Sequence, residues 1–164
     1  VRGRPLPAEP SPEEAGRDGQ EVSGMNDAQK LAERVVNGMM AKDAFSQWLG
    51  IEVLEIAPRR STLRMTVRPE MINGFGVTHG GIVYSLADSA LAFACNAKGS
   101  IWMAIENTVG YPKSVRTGDV LTAVATEESA GNKLGFYRVL VTNQNGELVS
   151  TFRGTVYNTG KQHE

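Results

Sequence analysis

The chain has 164 residues, 41% hydrophobic and 21% charged, with 17 Lys and Arg against 18 Asp and Glu, the size and balance of one globular domain. Near-zero net charge offers no broad field for a phosphate backbone, so nucleic acid is not an expected partner. The least polar stretch, residues 80–97, is interrupted by Asp88 and falls short of the roughly 20 apolar residues of a membrane span. One cysteine, Cys95, and two histidines, His79 and His163, exclude an internal disulfide and the usual zinc sites, so no metal is expected and the default compartment is a reducing cytoplasm.

Residues 1–24 hold four of the seven prolines and no aromatic side chain. Such a segment has too little apolar surface to offset the entropy of ordering it, so it reads as a disordered extension, either native or fusion- or vector-derived, ahead of Met25. Residues 25–48 read as an N-terminal helical segment: Asn26 stands as a cap before Leu31, Val35, Met39 and Met40 at helical spacing, and Phe45, Trp48 and Leu49 anchor its far end. Residues 49–158 form the main domain and 159–164 a flexible tail.

Within that domain the period changes to two. Ile51, Val53 and Ile56 predict a first strand ended by Pro58, and Leu63, Met65 and Val67 alternate with Thr62, Arg64, Thr66 and Arg68 in a second. A glycine-containing loop spans 69–78. From about Gly80 to Lys98, Val83, Leu86, Ala87, Ala90, Phe93, Ala94 and Ala97 make one broad apolar stripe, which predicts a mostly buried helix. Four strands follow at 101–111, 118–130, 134–144 and 147–158, with turns at Gly131-Asn132 and at Asn145-Gly146, the latter a type I′ signal. The simplest cover for the buried helix is an antiparallel sheet of about six strands wrapped around it, an α+β class.

The chemistry-bearing segment runs from Asn73 through His79-Gly80-Gly81 to Asp88. Gly80 and Gly81 stand where loop becomes helix, so their N–H groups lack intrahelical acceptors and a ligand can approach closely. That end of a helix favours negative charge and suits the oxyanion of an attacked acyl carbonyl. Asp88 has Tyr84, Leu91, Ala92 and Cys95 as its helical neighbours. Its carboxylate is therefore either partly desolvated or open to a ligand cleft, unless it is solvated or paired with an arginine. His79 is a helix cap or a reacting group; Asn73-Gly74 is first of all a turn signal. Cys95 reads as a small core residue.

An Asn, six residues later His-Gly-Gly, and an Asp nine residues after that His, together with HGGIVYSLADSALAFACNAKG and the closing Phe152-Arg153-Gly154, resemble the hotdog-fold acyl-CoA thioesterases of the phenylacetate-pathway (PaaI) type over residues 45–158. The resemblance implies that Asp88 activates water or attacks the thioester, that the Gly80 amide polarises the carbonyl with Gly81 supporting the turn, and that Asn73 and His79 orient the carbonyl or the water. It implies a homodimer whose active site pairs Asp88 of one subunit with the Asn73/His79 loop of the other, and a homotetramer of two dimers. Ser89 is a secondary site residue on the same basis. The substrate expected is an acyl-CoA such as phenylacetyl- or hydroxyphenylacetyl-CoA, with no separate cofactor, since coenzyme A belongs to the substrate. Lys113, Arg116 and Lys133 are candidates for its phosphates, or else ordinary surface charges. Phe75, Trp102, Met103 and Tyr111 are candidates for the acyl pocket, or else core. Two other functions fit the same fold: an enoyl-CoA hydratase or dehydratase using His79 with Asp88, and a non-catalytic acyl-CoA sensor.

Overall fold

The computed structural model describes residues 12–164, with side chains from residue 27 onward. The elements are α1 (Pro12–Lys42), α2 (Ala44–Leu49), β1 (Glu52–Ala57), β2 (Arg60–Thr66), α3 (Gly80–Asn96), β3 (Ser100–Gly110), β4 (Val120–Ala130), β5 (Leu134–Thr142) and β6 (Leu148–Gln162), with a 3-10 turn at Pro69–Met71.

Both ends of the chain differ from expectation. Helix α1 begins at Pro12, so 12–24 of the expected disordered extension is helical and Asn26 lies inside the helix rather than capping it; residues 1–11 lie outside the described residues. Proline is well suited to the first helical position. The C-terminal residues are held in strand: Gln162 pairs with Ser100 across a bulge, and the His163 N–H donates to the Gly99 carbonyl at 2.8 Å. Asn145-Gly146 does not form a type I′ turn, because only Gly146 has positive φ (74°). The Asn143 carbonyl instead accepts the Gly146 N–H, and the Asn143 side chain accepts the N–H groups of Asn145 and Glu147, the pattern of a type I turn followed by a left-handed glycine.

All five strand pairings are antiparallel, in the order β1-β2-β4-β5-β6-β3. Helix α3 lies on the inner face. Leu86, Ala90, Leu91 and Phe93 from the helix and Leu63, Met65, Leu121, Val139 and Phe152 from the strands form one buried cluster, each large side chain contributing about 1.5–3 kcal/mol by leaving water. The alternation seen in the sequence is the alternation of burial, clearest in β5, where every second residue from Gly135 to Val141 is buried. A six-stranded antiparallel sheet wrapped on one central helix is the hotdog fold that the sequence resemblance implied.

Short α2 braces α3 from outside. Asp43 caps α2 by accepting the Ser46 N–H and hydroxyl at 3.0 and 2.6 Å, and the buried Ser46 hydroxyl meets that of Ser89 at 2.9 Å. Of the three residues expected to anchor this region, only Leu49 is buried; Phe45 and Trp48 stack on each other about half exposed.

The two sheet edges are treated differently. Beside β1 lies α1, where Gln29 donates to the Ile56 carbonyl at 2.6 Å. The outer edge of β3 is bare, and Met103 and Ile105 on that strand are each 60% exposed. Among the described residues no helix is long and apolar enough to cross a membrane.

Candidate active site

The loop before α3 is built by its own polar groups. Asn73 Oδ1 accepts the N–H groups of Phe75 and Val77 at 2.9 and 3.4 Å, while the Asn73 N–H donates to the Val77 carbonyl at 2.8 Å. Thr78 and His79 then donate their N–H groups to the carbonyls of Val115 and Met71. His79 caps α3, its Nδ1 accepting the Gly81 N–H at 2.9 Å. With Nδ1 as acceptor, the ring hydrogen sits on Nε2, which is left as a donor. A Cβ at Gly81 would lie 3.0 Å from that Nδ1, so glycine there is a condition of the cap. Gly80 is the first helical residue, and its N–H has no protein acceptor among the described residues. Its carbonyl accepts the Tyr111 hydroxyl at 2.9 Å. Gly80, Tyr111, Lys113 and the buried Thr78, whose hydroxyl has no partner, border a cleft of about 300 Å3.

Two turns further on, Asp88 lies half-buried, its Oδ1 accepting from Asn107 Nδ2 at 2.9 Å. The same amide donates to the Tyr84 hydroxyl at 2.8 Å. Burial pushes the Asp88 carboxyl above its ordinary value, and the Asn107 hydrogen bond offsets part of that rise. Among the described residues no arginine forms an ion pair with it. Asn107 is itself fixed by a close approach from β6: a Cβ at Gly154 would lie 2.4 Å from Leu91 Cδ2 and 2.8 Å from Asn107 Oδ1. Asp88 borders a second cavity, about 260 Å3, whose walls include Leu91, Trp102 and Met103.

Asn107 and Tyr84 were not among the residues expected to act. An Asn in the interior of a strand is unusual enough to draw notice, but its contact with Asp88, 19 positions earlier, depends on the bulged pairing of β3 with β6.

Gly80 and Asp88 are eight residues apart on one helix, which at 1.5 Å per residue separates them by about 12 Å along its axis. An amide and a carboxylate that far apart cannot grip the same carbonyl group.

Residues 75–150 match the family model described as the thioesterase superfamily. The acyl-coenzyme A thioesterase PaaI of Escherichia coli is 35% identical over 124 residues, 76% of this chain and 89% of that protein. The chain belongs to the thioesterase superfamily. The solved structure of the E. coli PaaI protein from the phenylacetic acid degradation operon superposes with a TM-score of 0.80 at 33% identity, covering 82% of this chain and 97% of that one. Human acyl-coenzyme A thioesterase 13 is 29% identical over 125 residues, 74% of this chain and 89% of its own length.

On this thioesterase frame the other expected site residues separate. Tyr111 and Lys113 stand at the Gly80 cleft, Lys113 paired with Glu147. Arg116 is exposed nearby, without an ion pair among the described residues. Lys133 sits over the Tyr157 ring. Its neighbour Leu134 pairs with Tyr157, whereas Gly110, just before Tyr111, pairs with Thr151; six residues of β6 set the two groups about 20 Å apart. Ser89 turns away from Asp88 to Ser46. Phe75 is 92% exposed at the loop tip. Cys95 is buried, and burial pushes its thiol up to about 12, as befits a core residue.

Proposed function

We propose that this chain hydrolyses acyl-CoA thioesters in an active site shared by two subunits, Asp88 of one facing Gly80, His79 and Asn73 of the other. The observation that carries the reading is the separation on α3 of a desolvated carboxylate from an unpartnered helix-end amide: each is suited to one half of acyl transfer, and only a second copy brings both to one carbonyl. The bare β3 edge with its exposed Met103 and Ile105 supports a homodimer joined there, because an unpaired apolar edge strand is a surface that proteins cover. Two such dimers form the homotetramer.

In the reaction Asp88 takes a proton from water as the oxygen attacks the thioester carbon. The carbonyl oxygen becomes an oxyanion held by the Gly80 N–H at the positive end of α3. Collapse breaks the C–S bond, and the proton on Asp88 passes to the departing thiolate, giving free acid and coenzyme A. A thiolate leaves readily, so no strong general acid is needed. The raised proton affinity of Asp88 suits it to accept that proton near neutrality. His79 Nε2 and Asn73 Nδ2, which have no partner among the described residues, are donors suited to orient the carbonyl or the water. Lys113 borders the Gly80 cleft, and with the exposed Arg116 three residues further on it is suited to the coenzyme phosphates. The engagement of His79 Nδ1 as a cap favours carboxylate hydrolysis over hydration. The apolar cavity beside Asp88 favours phenylacetyl or a similarly small acyl group.

Complementation tests the shared site. Asp88→Asn and Gly80→Pro chains, inactive apart, are unfolded and refolded together and assayed on phenylacetyl-CoA. In random heterodimers one of the two sites regains both halves, so activity returns to about one quarter of wild type. Failure to regain activity, with heterodimers shown to form, overturns the shared site.

A further inference from the structure

The cavity beside Asp88 has an end as well as an entrance, and the residues that close it come from the two termini. Away from the carboxylate its wall is Met39 of α1 and His163 beyond β6, with Ile101 between them. The same three residues line a separate outer groove of about 560 Å3, whose other borders include the charged residues Arg34, Lys42, Lys161 and Glu164. These shared residues thus divide an apolar cavity from a charged groove.

The two principal members of the partition are held differently. His163 is fixed by its N–H bond to Gly99 and by Nε2 lying 2.7 Å from Asn96 Oδ1. Asn96 is buried and clamped by both backbone groups of Trp102. Met39, by contrast, is partly buried and rests on the core through apolar packing alone, with the unbranched flexibility that lets methionine fill irregular space.

Taking the thioesterase reading as its basis, we propose that Met39 and His163 are specificity-determining residues that terminate the acyl pocket and limit the acyl group to about one aromatic ring on a short linker, or a chain of similar volume. The size of the cavity is the first support: a dry cavity of about 150 Å3 takes a benzene, so 260 Å3 admits a ring with its two acyl carbons and little more. The far side of the wall is the second. A long hydrocarbon chain pushed past Met39 would enter a groove bordered by the charged side chains of Arg34, Lys42, Lys161 and Glu164, where its apolar surface gains nothing.

The test is a chain-length profile of kcat/KM for the full chain on CoA thioesters from acetyl to palmitoyl, with phenylacetyl-CoA alongside. Wild type is expected to peak at short-to-medium length and to be at least about tenfold weaker on palmitoyl-CoA, a discrimination within reach of a hydrophobic pocket. Met39→Ala and, separately, His163→Ala move the peak to longer chains. Met39→Trp moves it to shorter ones. Deleting residues 163–164 repeats the tail arm without touching the core, should a point variant fold poorly. A peak at one unchanged length in all folded variants, or a wild type that accepts palmitoyl-CoA as well as short thioesters, overturns the partition and leaves the thioesterase reading intact. A wild type that cleaves no CoA thioester overturns both.

Discussion

The two ends of the proposed chemistry sit on one helix and are made in opposite ways. At the start of α3 the working group is a backbone N–H, available because a helix end cannot satisfy its own first amides. In the middle of α3 the working group is a carboxylate whose basicity is raised by burial and partly offset by the hydrogen bond from a single neighbouring amide. The first half-site tolerates change in side chains and depends on backbone placement; the second depends on what surrounds it. A helix long enough to hold both keeps them about 12 Å apart, so the proposed mechanism makes assembly a precondition of catalysis rather than an addition to it.

The contrast is sharpest under substitution. Asp88→Asn keeps shape and the Asn107 contact but loses the base, and kcat for phenylacetyl-CoA is expected to fall by about 10²–10⁴. Gly80→Pro deletes the amide hydrogen where the backbone accepts proline, since proline suits the first helical position and His79, at φ −58° and ψ 130°, already has the extended conformation that precedes proline; its added Cβ meets the Tyr111 ring at 3.2 Å, so that ring must give by a few tenths of an ångström. Its expected cost is about 10²–10³ in kcat, with only a small fall in melting temperature. A large loss of stability with Gly80→Pro would break the claim that this half-site is backbone alone.

Gly154→Ala probes the other half from behind. The added methyl has no room beside Leu91 and Asn107, so stability is expected to fall by about 1–3 kcal/mol, read by denaturant unfolding, with kcat falling as Asn107 shifts from Asp88. The smallest effect is on pH dependence. Because folding raises the Asp88 proton affinity, the protonated form favours the fold. The associated stability is complete below the ordinary carboxylate value and is lost as pH rises through the raised one. Asp88→Asn escapes that loss, so thermal melts should show it more stable than wild type at neutral pH, with the difference vanishing in acid.

Much of this architecture is readable from residue order because local periodicity decides it. The broad stripe from Val83 to Ala97 and the alternation of Leu63, Met65 and Val67 each have one dry solution, and the strands and α3 fall within a few residues of where those patterns place them. The His-Gly-Gly cap is equally local. What escaped is non-local or side-chain dependent. Asn107 reaches Asp88 only through strand pairing, and the Asn143 side chain selects the hairpin turn in place of the dipeptide signal. At α1, Pro12-Glu13-Glu14 is a helix start whose message was masked by the proline-rich composition around it. Lys113 and Lys133 look alike as cations near strand ends; only the register of β6 separates them.

The buried Cys95 has a practical consequence. Its thiol lies in the core and stays protonated across the range in which thioester cleavage is studied, so a colorimetric disulfide reagent added to the native protein reports the sulfur released from the coenzyme and not the enzyme's own. A cysteine introduced at an exposed position would be the one readily labelled handle on the folded chain, and a dye placed at Met103 or Ile105 would report directly on whether the β3 edges of two subunits meet.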